Sequence, residues 1–460
     1  MTFETTSAHG EGRDAASLRG LAGGGVFLPG DEGYDRARTT WALGVDLRPA
    51  AVAFPRTAAE VSAVVRAAAV AGLRVAPLGT GHNAHPLDDL GSTVLLRMNE
   101  LTGLEVDADR RRIRAGAGEV WLPVVEAAGA HGLAAMHGSS PDTGVVGYTL
   151  NGGLSWYARS LGLAVNSVTA VEIVTGSGEL TRVDADHEPD LFWALRGGNA
   201  ANFGVVTALE FTAYPIETAY AGMLVFDVTH AHRVLERWVD WSSTAPDAVT
   251  TAYRHLSFPP IPEVPELFRG RSLAVVDGAV VADDAEAERI IAPLRELGPE
   301  VDTFARVPAA TLPRLHMDPE QPTPGGGRSV SLGALPAAAV DRFVEVAGPD
   351  CGLAVVELRQ LGGALARRPE GAGAVGALEG SFGLLAAGLT LPETAEATIA
   401  SAERVVDAMA PWAHGLEYLN YHEVRIDPAR AYDAATLTKL RQIHKDVDPT
   451  GQFVANHPLG

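Results

Sequence analysis

Cysteine and long apolar runs are what this sequence has least of. Cys351 is the only cysteine among 460 residues, which excludes an intrachain disulfide and a cysteine-based metal site. We expect it to be a small buried hydrophobic residue. No stretch approaches the roughly 18 to 20 apolar residues of a membrane-spanning helix, and residues 1–20 lack the apolar segment of a secretion signal. The expectation is a cytoplasmic protein with no membrane partner.

Basic residues are scarce relative to acidic ones. Lysine and arginine total 36 against 57 aspartates and glutamates, for a net charge of -21. Because nucleic-acid phosphates bind a net basic surface, this balance argues against a nucleic-acid partner. Hydrophobic residues make up 47% of the chain, a share typical of a folded protein. At roughly 150 residues per domain, the length predicts two or three domains.

A strand–helix–strand unit is predicted early in the chain. AVAF at 51–54 and LRVAPL at 73–78 have the composition of short strands. Between them, Thr57 followed by Glu60 is a capping-box pattern for a helix that ends at Gly72. The glycine-rich loop GTGHNA, at 79–84, follows the second strand. Loops that leave the carboxyl end of a strand in this way are frequent ligand sites.

By itself this loop is a weak signal. Glycines let a backbone approach a ligand closely, but a lone histidine in such a turn, here His82, is more often structural than functional. The dinucleotide fingerprint G-x-G-x-x-G is broken by Ala84, and no clear helix follows the loop. A Rossmann dinucleotide site is therefore disfavoured.

The remaining pattern changes near residue 216. Before it, LEVDAD and RRIRAGAG predict two paired strands, and AVEIVT and ELTRVD predict a hairpin. After it, strand-like and helical stretches alternate, which predicts an α+β second domain. Near the end of the sequence, YLNY predicts a short strand and KLRQIHKDV a helix.

Several segments together resemble one family. They are GTGHNA, GSSPDTGVVGYTLNGGLSW, DLFWALRGGNAANFGVVTALEF, YLNY and DPTGQF. Their order and spacing are similar to those of the berberine bridge enzyme-like FAD-linked oxidases, within the vanillyl-alcohol oxidase superfamily. The resemblance covers nearly the whole chain. It implies an α+β protein: a PCMH-type FAD-binding domain (1–215, completed by 405–460) and an inserted substrate domain (216–404) whose antiparallel sheet is covered by helices on one side.

The resemblance also implies how FAD is held. His82 would carry a single covalent 8α-histidyl link, because Ser140 stands where many members have a second, cysteinyl attachment. The family's triple glycine reads NGG here, beginning at Asn151. The other implied FAD contacts are Leu78, Gly79, Thr80, Gly81 and Asn83 around the pyrophosphate; Ser139, Ser140, Pro141, Gly144 and Val145 beside the flavin; Gly147, Gly152 and Gly153 along its path; Gly204 and Val206 near the adenine; and Asn420.

For the catalytic base, the resemblance favours Tyr421 in the Asn-Tyr motif. If YLNY is a strand, Tyr418 and Tyr421 point to opposite faces and only one can reach the flavin; a packed core tyrosine is the alternative. Glu357, upstream of a double glycine, matches a polar catalytic position of the family, with Arg359 on the same side. A charged surface pair is the alternative there. His316 and Asp318 provide too few ligands for a metal site.

The implied activity is that of an FAD-dependent oxidase. A hydride would pass from a hydroxyl- or amine-bearing carbon of a small organic substrate to flavin N5, and molecular oxygen would reoxidise the flavin to give hydrogen peroxide. Two alternatives stay open: an oxidative cyclase or oxygenase of secondary metabolism, and a non-catalytic flavoprotein.

Overall fold

The first of three sheets carries the glycine-rich loop. The computed structural model describes residues 14–460; residues 1–13, the start of the predicted first domain, lie outside the described part. The sheet has the order β1-β2-β4-β3, with β2, β3 and β4 parallel. Its elements are β1 (Val26–Phe27), α1 (Tyr34–Arg38), β2 (Ala51–Ala53), α2 (Ala58–Val70), β3 (Arg74–Leu78) and β4 (Thr93–Arg97).

The predicted strand–helix–strand unit is confirmed as β2–α2–β3. Helix α2 begins where expected because Thr57 Oγ1 accepts a hydrogen bond from the Glu60 backbone N–H at 3.2 Å. The Glu60 carboxylate reaches back to the Arg56 N–H at 2.6 Å instead of the Thr57 N–H, so the capping box closes one residue early. The glycine-rich loop leaves the carboxyl end of β3, as the sequence predicts.

The second sheet is antiparallel, in the order β5-β6-β9-β7-β8. Both predicted strand pairs are present, β5 with β6 and β7 with β8. Helices pack on it around a core that contains Trp121 and Phe211. Its elements are β5 (Leu104–Asp107), β6 (Arg112–Gly116), α3 (Trp121–Gly129), α4 (Val145–Leu150), α5 (Ala158–Leu161), β7 (Val168–Val174), β8 (Leu180–Asp184), α6 (Pro189–Leu195) and β9 (Val205–Thr212).

The third sheet is large and antiparallel. Its strands follow the order β13-β10-β12-β11-β16-β17-β15, with β14 also paired to β10. They are β10 (Thr218–Asp227), β11 (Val249–Ser257), β12 (Ser272–Val280), β13 (Val301–Asp302), β14 (Ala305–Pro308), β15 (Gly325–Leu332), β16 (Val355–Gln360) and β17 (Phe382–Leu389). Helices α7 (Ala231–Thr244), α8 (Asp284–Arg295), α9 (Ala337–Val346) and α10 (Ala395–Met409) pack on one face. The predicted fold class is confirmed.

The opposite face of the third sheet turns toward the first two sheets. Along β16, Val356 and Leu358 point into the core beneath the helices. Glu357 and Arg359, between and after them, therefore point to the other side, because side chains alternate along a strand. This alternation places charged groups on an otherwise apolar strand at the junction of the sheets.

The predicted boundary between residues 404 and 405 lies within α10, which continues to Met409, and Ala402, Val405 and Met409 all pack in the third-sheet core. Another prediction about the end of the sequence is wrong. YLNY is not a strand: Leu419–Tyr421 is one turn of 3₁₀ helix, closed by the Tyr421 N–H on the Tyr418 carbonyl at 3.0 Å.

The last residues return to the first sheet. After α11 (Ala434–Val447), which packs against the second-sheet core, the Val75 N–H of β3 donates to the Gln452 carbonyl at 2.9 Å. The Val454 N–H donates back to the Val75 carbonyl, also at 2.9 Å.

Within residues 14–460, no helix is both long and apolar enough to cross a lipid bilayer.

Candidate active site

A cavity of about 720 Å³ lies where the three sheets meet. The loop after β3, the loop before α4 and the Leu419–Tyr421 turn form part of its wall, and the open face of β11 and β16 forms another part. Apolar side chains such as Leu256, Phe258 and Leu385 line the sheet side. The cavity is therefore large, mostly apolar, and bounded by a few charged groups, as small-molecule sites usually are.

The β3 loop presents unused backbone donors to this cavity. Within the described part of the chain, no N–H from Gly79 to Asn83 donates a hydrogen bond to another protein group. A Cβ added to Gly79 would meet no atom within 4 Å, so the backbone there faces open space. Buried N–H groups need partners, and a row of free ones suits an anion such as a pyrophosphate.

His82 is held from two sides. The Trp41 ring stacks on its imidazole with centroids 3.9 Å apart and planes 18° from parallel. His82 Nε2 lies 3.3 Å from Asp142 Oδ1. Trp41 Nε1 and Ser140 Oγ both donate to the same carboxylate, the latter at 3.1 Å. Burial opposes ionisation of Asp142, but these neighbours, His82 foremost, outweigh it and hold its pKa below the ordinary value.

Most residues predicted to contact FAD line the cavity. Those that do are Leu78, Gly79, Thr80, Gly81, His82, Asn83, Ser139, Ser140, Gly144, Gly147, Gly204, Val206 and Asn420. Ser140, at the position of the family's second attachment, lines the cavity and bonds to Asp142. Cys351 lies far along the chain, half-buried against the core of the third sheet.

Four predicted contacts do not line the cavity. Val145 is fully buried in the second-sheet core, and its neighbour Val146 faces the cavity instead, because successive helical residues point about 100° apart. Pro141 is likewise buried outside the lining. Gly152 and Gly153 sit behind the wall: a Cβ on Gly152 would lie 2.8 Å from the Tyr418 ring, and the Gly153 N–H donates to Tyr418 Oη at 2.9 Å.

Buried charges cluster on the sheet side of the cavity. Glu357 and Arg359 are each only 5% exposed, so the alternative of a surface pair is wrong. Arg359 Nε donates to Glu357 Oε1 at 2.9 Å. The Arg359 guanidinium also lies over the Trp156 ring, 4.9 Å from its centroid. Charges this deep persist only when they are paired, and here they are paired beside a cavity.

His316 joins this pair to a second one. Its Nδ1 lies 2.7 Å from Asp277 Oδ2, and Asp277 also binds Arg254. Its Nε2 lies 2.6 Å from Arg359 Nη2 and 3.1 Å from Glu357 Oε2. The arginine contact needs an unprotonated Nε2 and the glutamate contact a protonated one, so only one can be a hydrogen bond at a time.

Among described residues, no three His, Cys, Asp or Glu side chains form a metal-binding group.

The pKa values in the cluster follow from these contacts. Burial disfavours the Glu357 carboxylate, but the charges of Arg359 and His316 outweigh it and hold its pKa below the ordinary value. Burial also disfavours a charged Arg359, yet Glu357 foremost raises its pKa. The pKa of His316 is raised because Asp277 and Glu357 together outweigh burial and the two arginines. The cluster thus favours its charged forms despite burial.

The two tyrosines of the YLNY segment differ in role. Tyr418 Oη accepts hydrogen bonds from the Gly153 N–H and from Asn420 Nδ2, at 2.9 and 3.0 Å. Burial nevertheless raises its pKa to about 12. Tyr421 also lines the cavity, and its hydroxyl makes no hydrogen bond to a described protein group. Burial raises the Tyr421 pKa as well, and the charge of Arg359 opposes that rise.

Sequence reasoning missed four site residues, Trp41, Asp142, Arg254 and Asp277, and weighed His316 only as a metal ligand. Asp142 directly follows the GSSP segment, which is a usable signal once that loop is placed at the ligand. An acidic residue in the apolar run SLAVVDGAVV, at Asp277, is a second signal, because a buried charge demands a partner. Nothing in the sequence around Trp41 or Arg254 predicts that they belong to the site. They reach it only through the tertiary fold.

The residues present fit FAD. The cavity combines free N–H groups at the β3 loop, an apolar wall, and a glycine at Gly147 whose added Cβ would meet nothing within 4 Å. Two buried amide oxygens in the lining, Asn83 Oδ1 and Asn151 Oδ1, have no hydrogen-bond partner. Orphaned polar atoms of this kind mark a position where a polar ligand completes the wall.

Comparison with known proteins agrees with this reading. Residues 49–184 match the family model of an FAD binding domain. (R)-6-hydroxynicotine oxidase of Paenarthrobacter nicotinovorans is 31% identical over 60% of this chain, and the match spans 58% of that protein's length. An uncharacterized FAD-linked oxidoreductase of Bacillus subtilis is 25% identical, over 94% of this chain and 96% of its own.

The solved structure of a Physcomitrella patens berberine bridge enzyme-like protein superposes with a TM-score of 0.83, at 18% identity, covering 95% of this chain and 96% of that one. That likeness concerns the fold, while the family model and the two sequence relatives concern the cofactor. Together with the cavity, they show a PCMH-type FAD-binding domain and the fold of berberine bridge enzyme-like proteins, in a chain that is similar to FAD-linked oxidoreductases.

Proposed function

We propose that the protein is an FAD-dependent oxidase acting on a hydroxyl- or amine-bearing carbon of a small organic substrate. The observation that supports this most directly is the pairing of an unpartnered hydroxyl, Tyr421, with a buried cation, Arg359, in a largely apolar cavity. When bound, FAD would accept a hydride and pass the electrons to molecular oxygen. The protein's own groups orient the substrate and move the proton.

Tyr421 is the proposed proton acceptor. An ionised tyrosine is strongly basic, so it can take a proton from a substrate hydroxyl or ammonium group. Its ionisation costs free energy in an apolar wall, and Arg359 supplies the compensating charge. Within residues 14–460 the Arg359 Nη1 atom has no hydrogen-bond partner, which leaves it available to an oxygen that gains negative charge.

Glu357 and His316 are proposed to hold Arg359 in place. The Glu357 carboxylate fixes the guanidinium through Nε, and a charged His316 in turn fixes that carboxylate through Nε2, 3.1 Å from Glu357 Oε2. These contacts leave one edge of the guanidinium toward the cavity. A guanidinium that is already fixed needs no rearrangement when negative charge develops beside it.

An amine substrate is one of the two classes that fit, and the similarity to (R)-6-hydroxynicotine oxidase supports testing it alongside alcohols and sugars.

The proposed histidyl link predicts the fate of the flavin in a His82→Ala variant. Wild-type protein, denatured in acid, should retain a mass increase of one FAD, and the variant should retain none. The reason is that a ring nitrogen is needed for the bond and Ser140 cannot replace the cysteine of the second attachment. Intact-protein mass spectrometry measures this directly. Flavin released from the wild type would contradict a covalent link, and flavin retained by the variant would place the link elsewhere.

Substrate class and outcome are tested together. We would mix the holoprotein anaerobically with panels of sugars, alcohols and cyclic amines. Reduction of the flavin would be followed as bleaching of its visible absorbance. For a substrate that bleaches it, readmitted oxygen should yield one hydrogen peroxide per turnover. Oxygen consumed without peroxide would instead indicate an oxygenase. Failure of every class to reduce the flavin would favour a non-catalytic flavoprotein.

A further inference from the structure

The His82 imidazole is oriented by groups from two distant segments. Trp41 covers one face of the ring, and Asp142 lies 3.3 Å from Nε2. Asp142 is itself fixed, since Trp41 Nε1 and Ser140 Oγ donate to its two oxygens. An imidazole that is stacked on one face and contacted at one nitrogen has little freedom to rotate. A loop that only bound a phosphate through its backbone would not need an oriented histidine side chain.

The geometry distinguishes the two ring nitrogens. Nε2 is buried against a carboxylate, which can only accept a hydrogen bond when ionised. The neutral imidazole therefore keeps its proton on Nε2, and its lone pair is on Nδ1. In the described part of the chain no protein group hydrogen-bonds to Nδ1. Nε2 faces the Asp142 carboxylate at 3.3 Å without a regular hydrogen bond. The nearby carboxylate therefore favours the proton on Nε2 and leaves Nδ1 as the nucleophilic nitrogen.

We propose that Asp142 is the positioning residue for flavin attachment: it holds the proton-bearing Nε2 of His82 so that Nδ1 bonds to the flavin, and it accepts the Nε2 proton as that bond forms. This inference rests on the proposed histidyl link. Beyond the link itself, it assigns a role to Asp142, names Nδ1 as the nitrogen that bonds to the flavin, and gives the Nε2 proton an acceptor.

A bond forms between His82 Nδ1 and the 8α carbon of the flavin, and one C–H bond of that methyl group breaks, with its hydrogen leaving as a proton. The Nε2 proton passes to Asp142. The electron pair of the broken C–H bond reduces the flavin ring, which takes up the methyl proton and the proton that Asp142 then releases, so the carboxylate is ionised again. Molecular oxygen then removes the two electrons and two protons as hydrogen peroxide, restoring the oxidised flavin now joined to His82.

Asp142 is suited to this task because it stays ionised. Its neighbours hold its pKa below the ordinary value despite burial. The other carboxylate that acts on it is Glu320, which is on the surface and paired with Arg314 at 2.7 Å. His82 is the side chain that does most to keep Asp142 ionised. The carboxylate is therefore available as a proton acceptor across the neutral pH range.

The test follows covalent incorporation, not turnover. Full-length protein produced without flavin is incubated with FAD, and the fraction carrying covalent flavin is measured over time by intact mass and by flavin fluorescence in denaturing gels. In Asp142→Asn we expect incorporation to slow about a hundredfold or more, with non-covalent FAD binding retained. The wild-type rate should be nearly flat from about pH 8 to 9, where an ordinary imidazole is neutral and a carboxylate is ionised. The Asn rate should rise with pH, since the proton must then leave to solvent.

Three further variants distinguish a specific role of the Asp142 carboxylate from a general effect of removing a negative charge and from a folding defect. Asp341→Asn makes the same chemical change at an exposed carboxylate that also contacts a histidine, His232 at 2.7 Å, but does not line the cavity, so it should leave incorporation unchanged. Ser140→Ala keeps the Asp142 carboxylate and removes one of its fixing bonds, so a smaller slowing is expected even if Asp142→Asn folds poorly. Asp142→Glu should restore part of the rate and the flat pH profile.

The failures are distinguishable. If wild-type protein binds FAD but forms no covalent product, the histidyl link is wrong and this inference falls with it. If wild type forms the product and Asp142→Asn forms it equally fast, only the role of Asp142 is overturned. Attachment through Nε2, read from the isolated flavin peptide, would overturn the assigned ring nitrogen.

Discussion

Tyr421→Phe should lower kcat/KM for flavin reduction by about 10²- to 10⁴-fold, the usual contribution of a general base. The variant keeps the ring that lines the cavity and loses only the hydroxyl. The matched control is Tyr418→Phe, which removes a hydroxyl already committed to Gly153 and Asn420. It should alter the wall slightly and cost far less. Stopped-flow reduction with the best substrate from the panel measures both variants.

The pH profile gives this prediction a second, independent readout. Burial raises the Tyr421 pKa above its ordinary value of about 10. The phenol is therefore neutral at pH 7, and the ionised fraction grows tenfold for each pH unit. If Tyr421 is the base, log kcat/KM should rise with unit slope from pH 7 to at least pH 9, and the slope should vanish in Tyr421→Phe. A slope that survives in the variant would move the base to another group of the cluster.

Asp277→Ala should be the most destabilising single change in the third sheet. Asp277 is fully buried and is the partner of both Arg254 and His316. Removing one member of a buried ionic group costs about 3–5 kcal/mol, because the remaining charges lose their compensation. Urea denaturation, monitored by tryptophan fluorescence and by the fluorescence of the flavin, should show the midpoint shift. The matched control is Asp341→Ala, which breaks an exposed contact with His232 of 2.7 Å and should change the midpoint little.

The same carboxylate predicts how stability depends on pH. Arg254 and His316 hold the Asp277 pKa below its unfolded value despite burial. A carboxyl group with a depressed folded-state pKa stabilises the fold above its unfolded pKa, about 3.9, and loses that contribution as the pH falls through the folded value. Wild-type stability should therefore decline below about pH 4. Asp277→Ala should show a shallower decline, and an unchanged acid limb would contradict the assignment.

The sequence predicts local features of this protein well and cross-strand ones poorly. Period-two alternation along β16 predicts that Glu357 and Arg359 share a face, and the family motif singles out His82. Arg254 and Asp277 join the same cluster only because Arg254 is opposite Glu357 in the β11–β16 register, while Asp277 is opposite Ala252 in the β11–β12 register. Register depends on how neighbouring strands slide against each other, which no single strand encodes.

Two errors have the same origin. YLNY has the composition of a strand, but Tyr418 is anchored to Gly153 and Asn420, and the chain closes a turn there instead of extending. Trp41 was not identified because its contacts, with His82 and with Asp142, join segments 41 and 101 residues apart in the chain. Tertiary contacts of this kind override local preference, and they concentrate here at the site.

The return of residues 452–454 to β3 sets an order of events during synthesis. Gln452 bonds to Leu73 across 379 residues of sequence, and Asn456 Nδ2 donates to the Asn83 carbonyl beside His82. At about 5–20 residues per second, a ribosome needs roughly 20 to 75 s to cover that interval. The cradle around His82 is incomplete throughout. We therefore expect flavin capture to follow the synthesis of residues 452–456, because Asn456 completes the cavity wall beside the β3 loop only then.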